Sequence, residues 1–208
     1  LGGGGAPGRG SARRVTSPLA APATARLLDR AYDAFYKSTW NQAWQAAGFH
    51  ALAECDCARG DWLGALEHLE RALRANTDNL RARDLQAIVL RRLGREAEAE
   101  ALLRATLALD PLDWWARHLL GEPLRCDTQT RLDLVHDYVR AGFLHEALSL
   151  IEQASPEPRS GTAPLVAYTA AWICHLLDDK PSERRWRTRA RAASPDYCFP
   201  ARLEEFAI

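Results

Sequence analysis

GDWLGALEHLERALRANTDN, residues 60–79, is followed 34 residues later by a second version of the same pattern, GREAEAEALLRATLALDPLD, at residues 94–113. Matched positions hold matched residues, as where Ala65 recurs as Ala99. A fixed period of this length is typical of stacked helix-turn-helix units, because each unit buries its apolar face only against a neighbour. The repeat therefore predicts a protein made of helical hairpins.

Each copy places a glycine between two apolar runs of helical period. Gly60 and Gly94 are predicted to be the hairpin turns, since glycine adopts the left-handed conformation that ends a helix without steric cost. Ala65 and Ala99 fall where the two antiparallel helices of a hairpin must approach closely, so we expect both to be buried. Pro111 is predicted to end the second hairpin.

The pattern continues more weakly toward the C-terminus. A third unit has Gly142 at its turn, and a degenerate fourth unit has Asp178 in place of the glycine. Between the second and third units, residues 114–127 break the period and predict an insertion with a short helix, on which at most one of Trp114 and Trp115 faces the core. The predicted organisation is a disordered Gly/Pro/Arg linker over 1–23 and an all-α domain over 24–208. The domain is predicted to begin with a helix pair over 24–59, which overlaps the first repeat and whose second helix starts near Thr39. The predicted repeats cover about 46–79, 80–113, 128–161 and 162–195, and a further helix starts over 200–208.

The composition restricts the class of protein. Lysine and arginine together number 27, as do aspartate and glutamate, so no long-range field favours nucleic acid or an anionic membrane. No apolar run reaches the roughly 20 residues that span a bilayer. Five scattered cysteines suit reduced thiols better than a disulfide framework. We therefore expect a cytoplasmic chain without nucleic-acid or membrane partners, and its start at Leu1 suggests a piece of a longer protein.

No stretch of the sequence has a pattern typical of an active site. Cys55 and Cys57 lie two residues apart, which separates their thiols by about 200° around a helix and favours structural thiols over a metal pair. No phosphate-binding glycine loop follows a strand. The arginine-rich run at 184–191 is interpreted as a solvated helix face, with phosphate contact as the alternative. We expect no catalytic residues, no metal and no cofactor.

The repeated units resemble the tetratricopeptide repeat family over about residues 46–195. The resemblance rests on Leu52, Ala53, Gly60, Ala65, Leu69 and Ala72 in the first unit, on Ala87, Leu90, Gly94, Ala99, Leu103 and Pro111 in the second, and on Leu134, Tyr138, Gly142, Ala147 and Ala154 in the third. It implies stacked antiparallel hairpins that wind into a right-handed superhelix, a solenoid. More narrowly, the chain resembles the C-terminal repeat segment of large bacterial proteins that carry an N-terminal domain of unknown function.

Two functions are compatible with this resemblance, and a third, a self-contained enzyme, would need a polar pocket that the sequence does not indicate. The first is a non-catalytic scaffold whose concave groove binds a peptide, a partner protein or the N-terminal part of the parent protein. The alternative is an accessory helical segment that packs against an enzyme domain, for example a carbohydrate-active one, of the same larger polypeptide.

In such a superhelix the first helix of each unit lines the concave face. In the first two units this placement gives polar residues, among them His50 and, at the same repeat position, Asp84. In the third and fourth units it gives an apolar and aromatic wall with two imidazoles, which we predict to be the partner-binding site: Leu132, His136, Val139, Leu165, Tyr168, Trp172 and His175. The alternative is that the insertion at 114–127 or the next helix covers this wall.

Overall fold

The computed structural model describes residues 22–156 and 161–199 of the 208-residue chain. Within these ranges the protein is all-α, with ten α-helices, one short 3-10 helix and no strand. The helices are α1 (Pro22–Ser38), the 3-10 helix (Gln42–Trp44), α2 (Gln45–Arg59), α3 (Trp62–Ala75), α4 (Leu80–Arg92), α5 (Glu96–Leu109), α6 (Trp114–Leu119), α7 (Thr128–Arg140), α8 (Leu144–Glu152), α9 (Thr162–Leu176) and α10 (Lys180–Ala192). The predicted all-helical class is confirmed for this part of the chain.

The helices pack in consecutive pairs. α2 packs on α3, α4 on α5, α7 on α8 and α9 on α10, while contacts of α3 with α4 and of α8 with α9 join one pair to the next. This sequential packing is the arrangement expected of helix hairpins.

All four predicted turns adopt the left-handed conformation. The φ angles of Gly60, Gly94 and Gly142 are 76°, 77° and 80°, and that of Asp178 is 59°. At each turn the following residue donates its amide to a carbonyl five residues back, at 2.9 Å, which is the bond of the Schellman motif. The turn positions inferred from the repeat are therefore correct, including the one without glycine.

The repeated small and apolar residues form the core of the first two pairs. Ala65 and Ala99 are fully buried, as predicted, and so are Leu69 and Leu103 one turn further along each second helix. Small residues at the crossing points let the helices approach closely, and the leucines fill the space beside them. The repeat spacing is therefore the spacing of the core.

The insertion at 114–127 packs against the core. Its short helix α6 begins at Trp114 and is capped by Asp113, whose carboxylate accepts hydrogen bonds from the amides of Trp115 and Ala116 at 3.0 Å. Trp115 is buried and meets Tyr138 of α7 edge to face at 5.3 Å, whereas Trp114 is only half-buried. One indole of the pair thus faces the core, in agreement with the helical geometry.

The third pair contacts the first as well as its neighbours in sequence. Phe143, at the α7–α8 turn, stacks on Trp62 of α3 with ring centroids 6.1 Å apart, and the guanidinium of Arg92 lies over both rings. Arg92 also pairs with Glu146 of α8 at 2.6 Å. These contacts place the end of α7 beside α2, where it forms one side of the groove described below.

Two predicted boundaries were wrong. The second helix does not start near Thr39, because the Asn41 side chain accepts a hydrogen bond from Ala43 and caps a separate 3-10 helix, so that α2 begins at Gln45. Helix α1 begins at Pro22 rather than Thr24. The rest of the predicted linker and the further helix at 200–208 lie outside the described residues. No described helix has the length and apolar character needed to cross a membrane.

Candidate functional site: a groove between α1, α2 and α7

A groove of about 600 Å³ lies where α1, the 3-10 helix and α2 face the start of α4 and the end of α7. Its side chains divide into two groups, an aromatic pair and a polar set. The residues of these groups are Phe35 and Trp44 on the aromatic side, and His50, Glu54, Arg81 and Arg140 on the polar side.

The aromatic side of the groove is accessible to solvent. Trp44, the last residue of the 3-10 helix, is 62% exposed, and Phe35, near the end of α1, is 37% exposed. Trp44 directly precedes α2, and Phe35 is held near α2 because Gly48 lets the end of α1 come close. A Cβ atom at Gly48 would lie only 2.5 Å from the Ser38 hydroxyl and 2.9 Å from the Thr39 methyl. Exposed aromatic rings at such a rim are typical anchors for a bound partner.

The polar side of the groove is a network of ion pairs. His50 Nε2 and Arg140 Nε lie 3.3 and 3.4 Å from the same Glu54 oxygen. Arg81 Nε lies 3.4 Å from Asp137, a buried carboxylate that Arg140 also contacts. The Arg81 side chain is nevertheless 53% exposed. Carboxylates from α2 and α7 therefore fix two guanidinium groups at the edge of the groove.

Three of the seven residues predicted as the partner-binding wall are accessible. Tyr168 and Trp172 are half-buried and His175 is exposed, with its Nδ1 atom 3.3 Å from Glu183. The remaining four, Leu132, His136, Val139 and Leu165, are buried. The structure does bring two of the predicted rings together, since the His136 and Trp172 ring centroids are 6.2 Å apart. A binding role for this set stays a prediction, and a partner approaching this conformation would reach only the three accessible residues.

Sequence reasoning placed His50, Glu54 and Arg81 on the inner side of the first two units but did not single out that surface as a site. It missed the contributions of the aromatic pair and of Arg140. The aromatic content of the first helix pair was visible, but it was interpreted as the closing end of the repeat array. Arg140 carried no local signal, because it meets Glu54 only through the packing of α7 against α2.

A buried carboxyl pair lies next to the groove. Asp84 of α4 is 1% exposed, and burial, followed by the neighbouring charge of Asp113 and a hydrogen bond to it, raises the pKa of Asp84 to about 9. Asp137 adds a further unfavourable charge nearby. At neutral pH the raised pKa favours the protonated form of Asp84, whose hydroxyl can donate a hydrogen bond to Asp113, the cap of α6.

The cysteines of α2 are buried and free. Burial raises the pKa of the Cys55 thiol to about 11 and that of Cys57 still further. A thiol of such high pKa is a weak nucleophile and a poor metal ligand at neutral pH. Across residues 22–156 and 161–199, no group of three or more potential ligand side chains is arranged to hold a metal ion.

Comparison with protein-family models found no match, and a search of curated proteins found none at a significant level. The functional conclusions therefore start from the geometry of the groove.

Proposed function

We propose that this chain is a non-catalytic protein-interaction scaffold that holds a polypeptide segment of a partner in the groove between α1, α2 and α7. The observation that carries the proposal is the pairing of exposed Phe35 and Trp44 with the ordered arginines Arg81 and Arg140 across a space of about 600 Å³.

The scaffold is proposed to be a tetratricopeptide-like solenoid. The 34-residue spacing of Gly60 and Gly94, their shared turn geometry and the pairwise packing of successive helices support this proposal. In repeat proteins of this kind, stacking creates an extended concave surface, and binding to that surface is their common use.

The chemistry of the groove favours a polypeptide over a small polar ligand. A large apolar side chain bound in the groove would cover aromatic surface of Phe35 and Trp44 that now faces water. The half-exposed guanidinium of Arg81 can donate hydrogen bonds to backbone carbonyls or to a carboxylate beside that anchor. A short segment of polypeptide has both features, since it offers an apolar side chain as the anchor and hydrogen-bond acceptors on either side of it.

The proposal is tested by selecting peptides on the whole chain and measuring their affinity for groove variants. A displayed library of random twelve-residue peptides supplies the probes, and an enriched peptide is then synthesised and titrated. We expect enriched peptides to carry a large apolar residue, and Trp44→Ala or Phe35→Ala to weaken binding by about 30-fold, the usual effect of removing a central aromatic anchor.

Trp40→Ala is the matched control, because Trp40 is 73% exposed and close to Trp44 in sequence but does not line the groove. Its effect on affinity is expected to be less than about threefold. Enriched peptides that bind all three variants like the wild type would exclude the groove as the site. An equal loss for Trp40→Ala would assign binding to the exposed aromatic surface in general and would also contradict the proposal. Unchanged circular dichroism of each variant confirms that only side chains were removed.

A further inference from the structure

Helix α10 has a solvent face that carries four arginines and no acidic residue. Eight of its residues are exposed: Arg184, Arg185, Arg189 and Arg191, together with Lys180, Pro181, Thr188 and Ala192. The opposite side of the helix faces the core, where Ala190 is buried and Trp186 is half-buried. Four guanidinium groups are therefore presented together, on a helix that contributes no residue to the groove.

This arginine face contains no acidic residue. The single carboxylate of α10, Glu183, has a side chain only 12% exposed and is already in contact with Lys180 at 3.2 Å, with Arg187 at 3.1 Å and with His175 at 3.3 Å. Within the described ranges, the four exposed arginines form no ion pair. Arg185 donates a hydrogen bond to the Ser182 hydroxyl, and Arg189 lies over the Trp186 ring at 5.0 Å.

The arrangement is electrostatically unfavourable for the chain by itself. Arg185 and Arg189 are four residues apart on the helix, as are Arg187 and Arg191, and like charges at this spacing repel each other. Helix α10 carries six basic residues and one acidic residue, whereas the whole chain has a formal net charge of zero. An anionic partner would relieve the repulsion, so the face is suited to bind one.

We propose that the arginine face of α10 (Arg184, Arg185, Arg189 and Arg191) docks an acidic polypeptide segment. Arginine binds carboxylates in a two-pronged geometry. At about 100° per residue, Arg184 and Arg191 lie along one edge of the exposed face and Arg185 and Arg189 along the other. An extended acidic segment lying between the two edges, over about 10 Å of helix, can offer the carboxylates of three or four residues to both pairs. This surface is separate from the groove and does not depend on the function proposed for it.

Two other anionic partners fit the face less well. A membrane surface is bound by helices that insert apolar side chains between the lipids, and this face has none. Single-stranded nucleic acid is held by exposed aromatic rings beside the basic residues, whereas the only ring of α10, Trp186, lies on the core side with its indole nitrogen buried.

The probe for this proposal is a fluorescein-labelled peptide of ten glutamates, titrated with the whole chain by fluorescence anisotropy at low and at physiological ionic strength. We expect salt-sensitive binding, with Arg184→Gln/Arg191→Gln weakening it by about tenfold or more. The matched control is Arg95→Gln/Arg104→Gln, which removes the same charge from residues that pair with Glu98 and Glu100. The control is expected to change affinity by less than about threefold, because its arginines belong to surface ion pairs away from α10.

Three results would overturn the proposal. The first is the absence of peptide binding at low ionic strength, and the second is an equal loss of binding in the control, which would show a response to net charge alone. The third is tighter binding of a ten-thymidine oligonucleotide, or of vesicles containing phosphatidylserine, than of the glutamate peptide, because the partner would then be of another class. Since no groove residue is changed, these results are independent of the peptide selection on Phe35 and Trp44.

Discussion

His50 and Asp84 hold the same position of the 34-residue repeat, yet one lines an open groove and the other is sealed in the core. The His50 side chain is 14% exposed and lies beside Glu54, whereas Asp84 is 1% exposed and hydrogen-bonded to the residue that caps α6. The repeat determines where helices pack within each pair. Whether each copy remains accessible depends on helices that follow later in the chain. Helix α6 packs on α4 beside Asp84, whereas α7 meets α2 through Arg140 at its C-terminal end.

The largest expected effect comes from Asp84, whose raised pKa makes stability depend on pH. The carboxyl ordinarily releases its proton near pH 3.8, but in the folded chain it keeps the proton to about pH 9. The folded state therefore binds one more proton than the unfolded state between these values, and the free energy of unfolding falls as pH rises through this window, by up to about 1.4 kcal/mol per pH unit. Asp84→Asn mimics the protonated form and should remove this dependence on pH. Between pH 5 and pH 8 the wild type should lose on the order of 3 kcal/mol of unfolding free energy relative to the variant, a figure that allows for local relaxation.

Urea unfolding at several pH values between 5 and 8 measures this effect. Asp78→Asn is the control, because it removes the same charge from an exposed loop and should leave the pH dependence as in wild type. If the wild type and Asp84→Asn lose stability in parallel as pH rises, Asp84 is ionised in the folded state. That result would contradict the conclusion that Asp84 is enclosed in the core while His50 lines an open groove.

The next effect tests whether the two matched pairs have equivalent cores. Ala65→Leu and Ala99→Leu each add three carbon atoms at a fully buried helix crossing and should cost about 1 to 3 kcal/mol by overpacking. The two losses should agree within about 1 kcal/mol, because the residues are in the same repeat position. Thermal denaturation of both variants, with the exposed Ala101→Leu on the same helix as Ala99 as a control, would show this. Unchanged melting temperatures in both core variants would contradict the assigned repeat positions.

The smallest effect concerns the helix caps, where the two pairs differ. Asp61 caps α3 by accepting a hydrogen bond from the Gly64 amide at 3.0 Å, whereas the matched residue Arg95 provides no side-chain cap to α5. Asp61→Ala should therefore cost about 1 kcal/mol. Arg95→Ser should gain up to about 1 kcal/mol, because serine at this position with Glu98 three residues later forms a capping box.

Chemical denaturation of the two single variants measures both changes, and the double variant should show their sum, since the caps are on different helices. Destabilisation by Arg95→Ser would mean that its surface ion pair with Glu98 contributes more than a cap does.

The parts of the fold that were predicted correctly are those determined by local sequence. Gly60 and Gly94 marked their turns because a helix end requires an unusual backbone conformation, and Ala65 and Ala99 marked the crossings because only small residues fit there. Asp178 was placed correctly at a turn by the spacing alone, without the help of a glycine.

The candidate site could not be derived in the same way, because it depends on contacts between distant helices. Nothing near Arg140 in the sequence indicates that it reaches Glu54. By contrast, the repeat positions placed His136 and Trp172 on one wall, and the structure brings these two rings together. Periodicity assigns a residue to the inner or the outer side of a helix, but whether the inner side is open depends on how later elements pack. For that reason the groove beside the first copy was not predicted from the sequence.

The ion pair between Glu54 and Arg140 has a consequence for the order in which the protein acquires its function during synthesis. Domains fold from the N-terminus as they emerge from the ribosome, and pairs of neighbouring helices need only local contacts to form. The first two helix pairs can therefore assemble while α7 is still untranslated, with Phe35 and Trp44 already in place on one side only. The groove becomes complete once Arg140 has been made and α7 has packed on α2. We expect a nascent chain that ends before α7 to be helical but unable to hold a partner.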